Sequence, residues 1–171
     1  MSFGDRVNQL DAWLLDRVFQ PVADALPERL SAMDLGMNFQ VGSIVLSAVS
    51  ISALLMLQGM SFDSVVTNML GWCFEVIFYI GIHRMRGMVR PGYLNPLRGM
   101  LAGMRPISIP FAMYAIYQAV TAERAYELAL WFNSLSQIVF VAGIYLISCH
   151  MPPPRQRARQ GFGRGLQPNE S

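Results

Sequence analysis

One carboxylate, Glu75, lies in the middle of the apolar stretch SVVTNMLGWCFEVIFYIGI, residues 64–82. Residues three or four positions apart share a helical face, so Asn68, Tyr79 and His83 lie on the same side as Glu75. An ionised, unpaired carboxylate is costly in hydrocarbon, so such a residue faces other helices, pairs or keeps its proton. Two interpretations follow: a proton or ion relay towards the cytoplasm, or a hydrogen bond that specifies helix pairing.

The hydrogen-bonding interpretation needs amide partners on other apolar stretches. Asn133 and Gln137 are one helical turn apart in the last such stretch, and Gln118 is the one amide of the stretch before it. Interhelical amide bonds of this kind stabilise helix packing in lipid. The sequence therefore predicts an intramembrane polar site, whose members are Glu75, Asn68, Tyr79, His83, Asn133 and Gln137.

The elements that hold this site are predicted to be membrane-spanning helices. Hydrophobic residues make up 53% of the chain and charged residues only 14%, against about 25% charged in ordinary soluble domains. A span needs about 20 mostly apolar residues. We predict an all-α, polytopic integral membrane protein with a bundle over residues 37–149 and spans at about 38–58, 64–82, 106–121 and 128–149.

Positive charge orients these spans, because arginine in short loops favours the cytoplasmic side. With four spans, every one of the 13 basic residues except Arg124 falls on that side. We expect a bacterial inner-membrane protein with both termini in the cytoplasm and a basic, disordered tail over residues 150–171. The loop 83–105 is expected to contact lipid phosphates at the membrane surface. Its basic residues are Arg84, Arg86, Arg90, Arg98 and Arg105.

The segment 1–36 is predicted to form a cytoplasmic amphipathic helix before the first span. Its expected apolar stripe consists of Val7, Leu10, Leu14, Val18, Val22 and Leu26. Such a helix lies in the headgroup layer or docks on protein, and its excess of acids favours protein. Ser31 and Asp34 match a capping box before the first span, and Ser43, Ser47 and Ser50 predict a packing seam within that span.

Other chemistry has little support in the sequence. We find no phosphate-binding loop, dinucleotide fingerprint, serine-hydrolase elbow or zinc-protease motif, and no nucleic-acid recognition motif. We therefore expect no enzyme activity, no cofactor, no metal and no nucleic-acid partner. The only candidates for a soft-metal site are four side chains expected near one membrane face. These are His83, Cys149, His150 and Met151.

Three functional hypotheses remain. The first is a small non-enzymatic inner-membrane subunit or assembly factor of a larger membrane complex, with lipids and other integral membrane proteins as partners. The second is a proton- or ion-coupled transporter or channel that self-associates around Glu75. The third is a membrane-embedded metal or redox protein.

Overall fold

The computed structural model describes residues 3–27, 29–58 and 61–152, and within these ranges all regular structure is helical. Most of the predicted basic tail, from residue 153 onward, lies outside the described residues. The elements in chain order are α1 (Phe3–Leu14), a π-helical turn (Leu15–Phe19), α2 (Gln20–Asp24), α3 (Ala32–Gln58), α4 (Phe62–Met85), a 3₁₀ turn (Arg86–Met88), α5 (Pro96–Met100), α6 (Met104–Val120) and α7 (Glu127–Ser148).

Three of these helices are long and apolar enough to cross a membrane, fewer than the four predicted. They cover Ala32–Leu57, Val65–Met88 and Glu127–Ser148, with mean hydropathies of 2.0, 1.6 and 1.6. The remaining candidate, α6, has 17 residues and a length of about 25 Å at 1.5 Å per residue. That is shorter than the hydrocarbon core of about 30 Å.

The centre of the fold is the pair α3 and α7, with α4 beside α3 and α6 beside α7. Two glycines allow the central pair to approach closely. A Cβ atom on Gly36 would lie 2.9 Å from the carbonyl oxygen of Gly143, and one on Gly143 would lie 2.4 Å from Gln40 Nε2. Without side chains at these positions, the two helix backbones meet directly, as small residues permit in lipid.

Polar side chains bridge the same contact, which we call the α3–α7 seam. The Ser43 and Ser136 hydroxyls lie 3.2 Å apart, and Ser136 Oγ also donates to Ser43 O at 3.0 Å. Nearer the other end of the seam, Ser50 Oγ donates to Ala129 O at 2.8 Å. The predicted serine packing seam is therefore confirmed for Ser43 and Ser50, whereas Ser47 turns towards α4.

Helix α4 packs much less tightly. Among its described side chains only Ile82 is buried, near the end of the helix that also brings Phe78 to Phe140 of α7 with ring centroids 5.5 Å apart. The earlier part of α4 exposes large apolar side chains, including Leu70, Phe74 and Ile77. One end of α4 thus joins the core, and the rest of the helix packs mainly on α3.

The N-terminal segment is helical, as predicted, but its inward face differs from the expected stripe. Asp11, Leu15 and Ala23 are buried, whereas the predicted stripe residues Leu10, Val18 and Val22 are exposed. The π-helical turn before Pro21 inserts an extra residue into the helix, so the side chains after it point in different directions from those of a regular α-helix. Pro21 has no N–H to donate back along the helix, which accounts for the wider turn.

Helix α3 begins with the predicted cap. The Asp34 amide donates to Ser31 Oγ at 3.0 Å, and Ser31 Oγ donates to Asp34 Oδ2 at 2.6 Å. The side chain of Ser31 therefore satisfies one of the free N–H groups at the start of α3.

Candidate functional site

Glu75 lies midway along α4 and is half-buried. The Ser47 hydroxyl of α3 donates a 2.7 Å hydrogen bond to Glu75 Oε2. One turn earlier in α4, Trp72 Nε1 donates to the Ile44 carbonyl at 3.1 Å. These two bonds attach the polar face of α4 to a single turn of α3.

The structure assembles only part of the predicted intramembrane site. Within the described residues, Asn133 and Gln137 do not reach hydrogen-bonding distance of Glu75, because this part of α4 packs on α3 and not on the first half of α7. Gln118 instead donates to Tyr114 of its own helix at 3.2 Å. The partner that sequence reasoning missed is Ser47, which the serine pattern had assigned to the seam.

The other members of the α4 face extend from Glu75 in both directions along the helix. Asn68 is half-buried two turns before Glu75. Tyr79 and His83 follow it, with their rings stacked at 5.9 Å between centroids. His83 is exposed at the end of α4, so groups able to exchange protons are present from mid-helix to that end.

A second polar cluster lies where α1, α6 and α7 meet, and we call it the Arg105 cluster: Asp11, Arg105, Tyr145 and Ser148. The guanidinium of Arg105 binds the Asp11 carboxylate through two donors, Nε to Oδ1 at 3.0 Å and Nη2 to Oδ2 at 2.7 Å. Tyr145 also donates to Asp11 Oδ1 at 2.9 Å. Arg105 Nη1 donates to Ser148 Oγ at 3.1 Å and to the Arg98 carbonyl at 2.7 Å.

This cluster is buried, with the ion-paired side chains of Arg105 and Asp11 only 4% and 8% exposed. A charge taken out of water must be paired and hydrogen-bonded, and here both partners are. Phe19 stacks on the Tyr145 ring at 4.7 Å between centroids and closes one side. The predicted contact of Arg105 with lipid phosphate is therefore wrong, because its donors are engaged inside the protein.

Two more arginines of the loop 83–105 bind the N-terminal segment. Arg98 Nη2 lies 2.6 Å from Asp16 Oδ1, and Arg86 forms an ion pair with Asp34 at the start of α3. Arg84 and Arg90 are exposed, and their expected surface role stays a prediction. The signal for these pairs was present in the sequence, since an arginine-rich loop without acids accompanies an acid-rich N-terminal segment.

The chain beyond α7 is fixed by two amide side chains. Asn95 Nδ2 donates to the Ile147 and Cys149 carbonyls at 2.7 and 2.8 Å, while its Oδ1 caps α5 by accepting from Leu97 N. Gln20 bonds both backbone groups of His150, with Nε2 to O at 3.1 Å and His150 N to Oε1 at 2.9 Å. The end of α7 thus contacts both α2 and the central loop.

Three of the soft-metal candidates have other partners in the structure. Cys149 Sγ donates to the Tyr145 carbonyl, and His83 stacks on Tyr79. The Nδ1 atom of His150 accepts from the backbone N–H of Asn95 at 3.4 Å. Burial raises the pKa of the Cys149 thiol, which follows the end of α7, to about 12. Among the described residues, no three His, Cys, Asp or Glu side chains are grouped to hold a metal ion.

Comparison of the chain with protein-family models, with curated proteins and with solved structures gives no match in any of the three. The Arg105 cluster is internally satisfied and fixes the N-terminal helix. Among the described residues Glu75 has one hydrogen-bond partner, Ser47, and it lies on the most exposed of the three longest helices.

Proposed function

We propose that the chain is a small non-enzymatic subunit or assembly factor of a larger complex in a bacterial inner membrane. In this proposal α3, α4, α6 and α7 all cross the bilayer, with both termini in the cytoplasm. The ion pairs support this threading, because Arg86 at the end of α4 meets Asp34 at the start of α3. Likewise Arg105 at the start of α6 meets Ser148 at the end of α7.

The observation that carries the subunit proposal is the incomplete cover of Glu75. A carboxyl group at mid-span is costly unless other groups surround it, and within this chain the side chain is only half-buried, with its hydrogen bond to Ser47. A neighbouring helix that covers the α3–α4 contact would remove the carboxyl group from lipid. Glu75 then serves to specify which helix pairs there.

A groove of about 490 Å³ between α3 and α4 provides the surface for such a helix. Its small residues Ala48 and Ser52 are one turn apart, a spacing that lets a second helix approach closely. Trp72, one turn from Glu75, forms part of its lining. The remaining lining residues are Ile44, Val45, Val49, Ala53 and Met56.

The proposed occupant is a transmembrane helix of a partner protein with a small or hydrogen-bonding residue opposite Glu75. The test is purification of the tagged chain from native membranes in mild detergent, followed by mass spectrometry and native mass measurement. Ala48→Leu fills the groove and should remove a stoichiometric partner. Cys73→Leu adds similar bulk to an exposed position of α4 outside the groove lining and should retain it.

Two results would contradict the subunit proposal. One is a chain that purifies from native membranes as a monomer or as a homo-oligomer alone. The other is a partner retained equally by the Ala48→Leu and Cys73→Leu variants.

A second candidate function, proton-coupled transport by a homo-oligomer, is favoured by the stacked Tyr79 and His83 that follow Glu75 along α4. Proton flux into vesicles containing the purified chain distinguishes the two candidates. Glu75→Gln keeps an acceptor for the Ser47 hydroxyl but cannot titrate. It should abolish flux if Glu75 is a relay and preserve partner binding if Glu75 specifies helix pairing.

A further inference from the structure

The outward face of α1 and α2 carries a row of exposed apolar side chains, which we call the outer stripe: Leu10, Trp13, Val18 and Val22. They are 54%, 53%, 40% and 49% exposed. The opposite side of the helix carries the buried residues Asp11 and Leu15 that face the bundle. This segment therefore has one face packed on its own chain and another, apolar face that none of the described residues covers.

The position of the helix relative to the spans indicates what surrounds the outer stripe. Leu15 belongs to an apolar cluster that extends to Ile109 of α6 and Val141 of α7. Ile109 is five residues from the start of α6 and Val141 seven residues from the end of α7. At 1.5 Å per residue these positions are about 7 and 10 Å inside the helix ends.

An amphipathic helix in a membrane interface lies about 5–10 Å into the boundary between headgroups and acyl chains. The N-terminal segment contacts the first turn of α6 and the last turn of α7, where Asp11 binds Arg105 and Phe19 stacks on Tyr145. It therefore lies at the ends of these helices, next to the boundary. Trp13 in the stripe is a residue type enriched at this boundary.

The charged residues of the segment also favour lipid over a protein partner as the cover of the outer stripe. The acidic character of the segment had argued against an anionic leaflet, but Asp11 and Asp16 are bound by Arg105 and Arg98. Arg6 and Arg17 are exposed, each one turn from a stripe residue. Their long side chains can reach phosphates while their methylene groups cover apolar surface.

We propose that the outer stripe is covered by phospholipids of the cytoplasmic leaflet, so that α1 and α2 form an in-plane interfacial helix. This inference rests on the membrane insertion of the proposed function, and not on a partner protein. The Arg105 cluster holds the helix at this depth, because it ties Asp11 to α6 and α7.

The test places a nitroxide spin label on the full chain, purified and reconstituted in vesicles of phosphatidylethanolamine and phosphatidylglycerol. Val18→Cys carries the label in a background of Cys73→Ala and Cys149→Ala. Collision rates are measured with oxygen, which concentrates in lipid, and with a water-soluble nickel chelate. Ala12→Cys, an exposed position of α1 that belongs neither to the outer stripe nor to the buried face, is the matched control.

We expect the label at residue 18 to be accessible to oxygen and protected from the nickel chelate, and the label at residue 12 to be accessible to the chelate. Equal chelate access at both positions would overturn the proposal in favour of a water-exposed helix. Protection of residue 18 from both reagents would overturn it in favour of cover by protein.

A label at Ile77→Cys, on the exposed face of α4, separates this inference from the proposed membrane insertion. Chelate access at residue 77 would show that the spans are not inserted and would overturn both. Protection at residue 77 together with chelate access at residue 18 would overturn the interfacial helix alone.

Discussion

Helices α4 and α7 have nearly the same length, 24 and 22 residues, and equal mean hydropathies of 1.6 over their candidate spans. Their surroundings nevertheless differ greatly. Six consecutive residues of α7, Gly143–Ser148, are buried, whereas Ile82 is the one buried residue among the described side chains of α4. Hydropathy therefore identifies both as candidate spans without indicating which of them forms the core.

The difference follows from the small and polar residues rather than from the apolar ones. In α7 Gly143 and Ser136 face α3, where the two backbones meet and the Ser136 hydroxyl finds partners. In α4 a methyl group added to Gly71 or Gly81 would meet no atom within 4 Å, and the polar face bonds to α3 at Ser47 and Ile44. Close approach, and not apolarity, thus distinguishes the central helices of this fold.

The largest expected difference is between the Arg105 cluster, which packs on α7, and Glu75 of α4. Arg105→Leu leaves Asp11 buried without its cation, which costs about 3–5 kcal/mol in comparable buried pairs. Glu75→Leu removes the carboxylate that accepts from Ser47, but Ser47 Oγ can still donate to the Ile44 carbonyl. This variant should therefore change the free energy of unfolding by less than about 1 kcal/mol. Circular dichroism during titration of mixed micelles with dodecyl sulfate measures both.

A double variant provides the control for the ion pair. Asp11→Leu combined with Arg105→Leu removes both buried charges and should recover most of the stability lost with Arg105→Leu alone. If the double variant is as unstable as the single one, the loss comes from packing and not from an unpaired carboxylate.

A glycine pair tests close approach directly. Gly36→Ala places a methyl group 2.8 Å from Ile147 Cγ1 and 2.9 Å from the Gly143 carbonyl, and overpacking of this kind costs about 1–3 kcal/mol. Gly71→Ala meets nothing within 4 Å and should be neutral or slightly stabilising, since alanine favours helix. Thermal unfolding of both variants in the same detergent gives the comparison, and equal effects would show that the seam is not tightly packed.

The hydroxyl bonds of the seam have a smaller expected effect. Ser136→Ala removes the contacts with Ser43 and should cost about 0.6 kcal/mol, the average for polar contacts between membrane helices. Ser52→Ala is the control, because Ser52 Oγ is exposed and donates within its own helix to Ala48 O. If Ser136→Ala is no less stable than Ser52→Ala, the glycines and not the hydroxyl groups stabilise the α3–α7 seam.

At Cys149 we expect no change in thiol reactivity between about pH 7 and pH 9. Cys149 is 2% exposed, and its raised pKa of about 12 keeps the thiol neutral well above its usual titration range. Raising the pH from about 7 to 9 ionises an ordinary thiol, whose pKa is about 8.5. The same change should not increase maleimide labelling of Cys149 in the folded Cys73→Ala protein. Because burial favours the neutral thiol, its contribution to the folding stability is complete below the pKa of an ordinary thiol and is lost as the pH rises towards 12.

Labelling of Cys149 also reports on the N-terminal helix. Asp11→Ala breaks the Arg105 cluster beside Cys149 and should allow labelling at pH 9. Rapid labelling of the parent protein at that pH would mean that the cluster opens readily.

Periodic and local features of the fold were predictable from the sequence. Apolar length identified α3, α4 and α7, and the Ser31–Asp34 cap was recognisable because its partners are three residues apart. The inward face of α1 was not predictable from apolar spacing, because the buried position is an aspartate, Asp11, whose counter-ion is 94 residues away. The π-helical turn further changed which later side chains face inward.

The candidate site shows the same division. The α4 face with Glu75, Tyr79 and His83 follows from helical spacing, and the ring stack of Tyr79 and His83 agrees with it. The partner of Glu75 depends on which helix lies beside α4, and amide content suggested α7 where the structure has α3. Pairing between helices depends on fit over whole faces, which single polar residues do not reveal.

The Arg105 cluster has a consequence for the order of events during synthesis. Asp11 is made before its two partners, Arg105 and Tyr145, which follow 94 and 134 residues later. A ribosome adds about 5–20 residues per second, so roughly 7 to 27 seconds pass between the synthesis of Asp11 and that of Tyr145. During that interval α1 cannot dock on α6 and α7, and its carboxylates and apolar surface are open to chaperones.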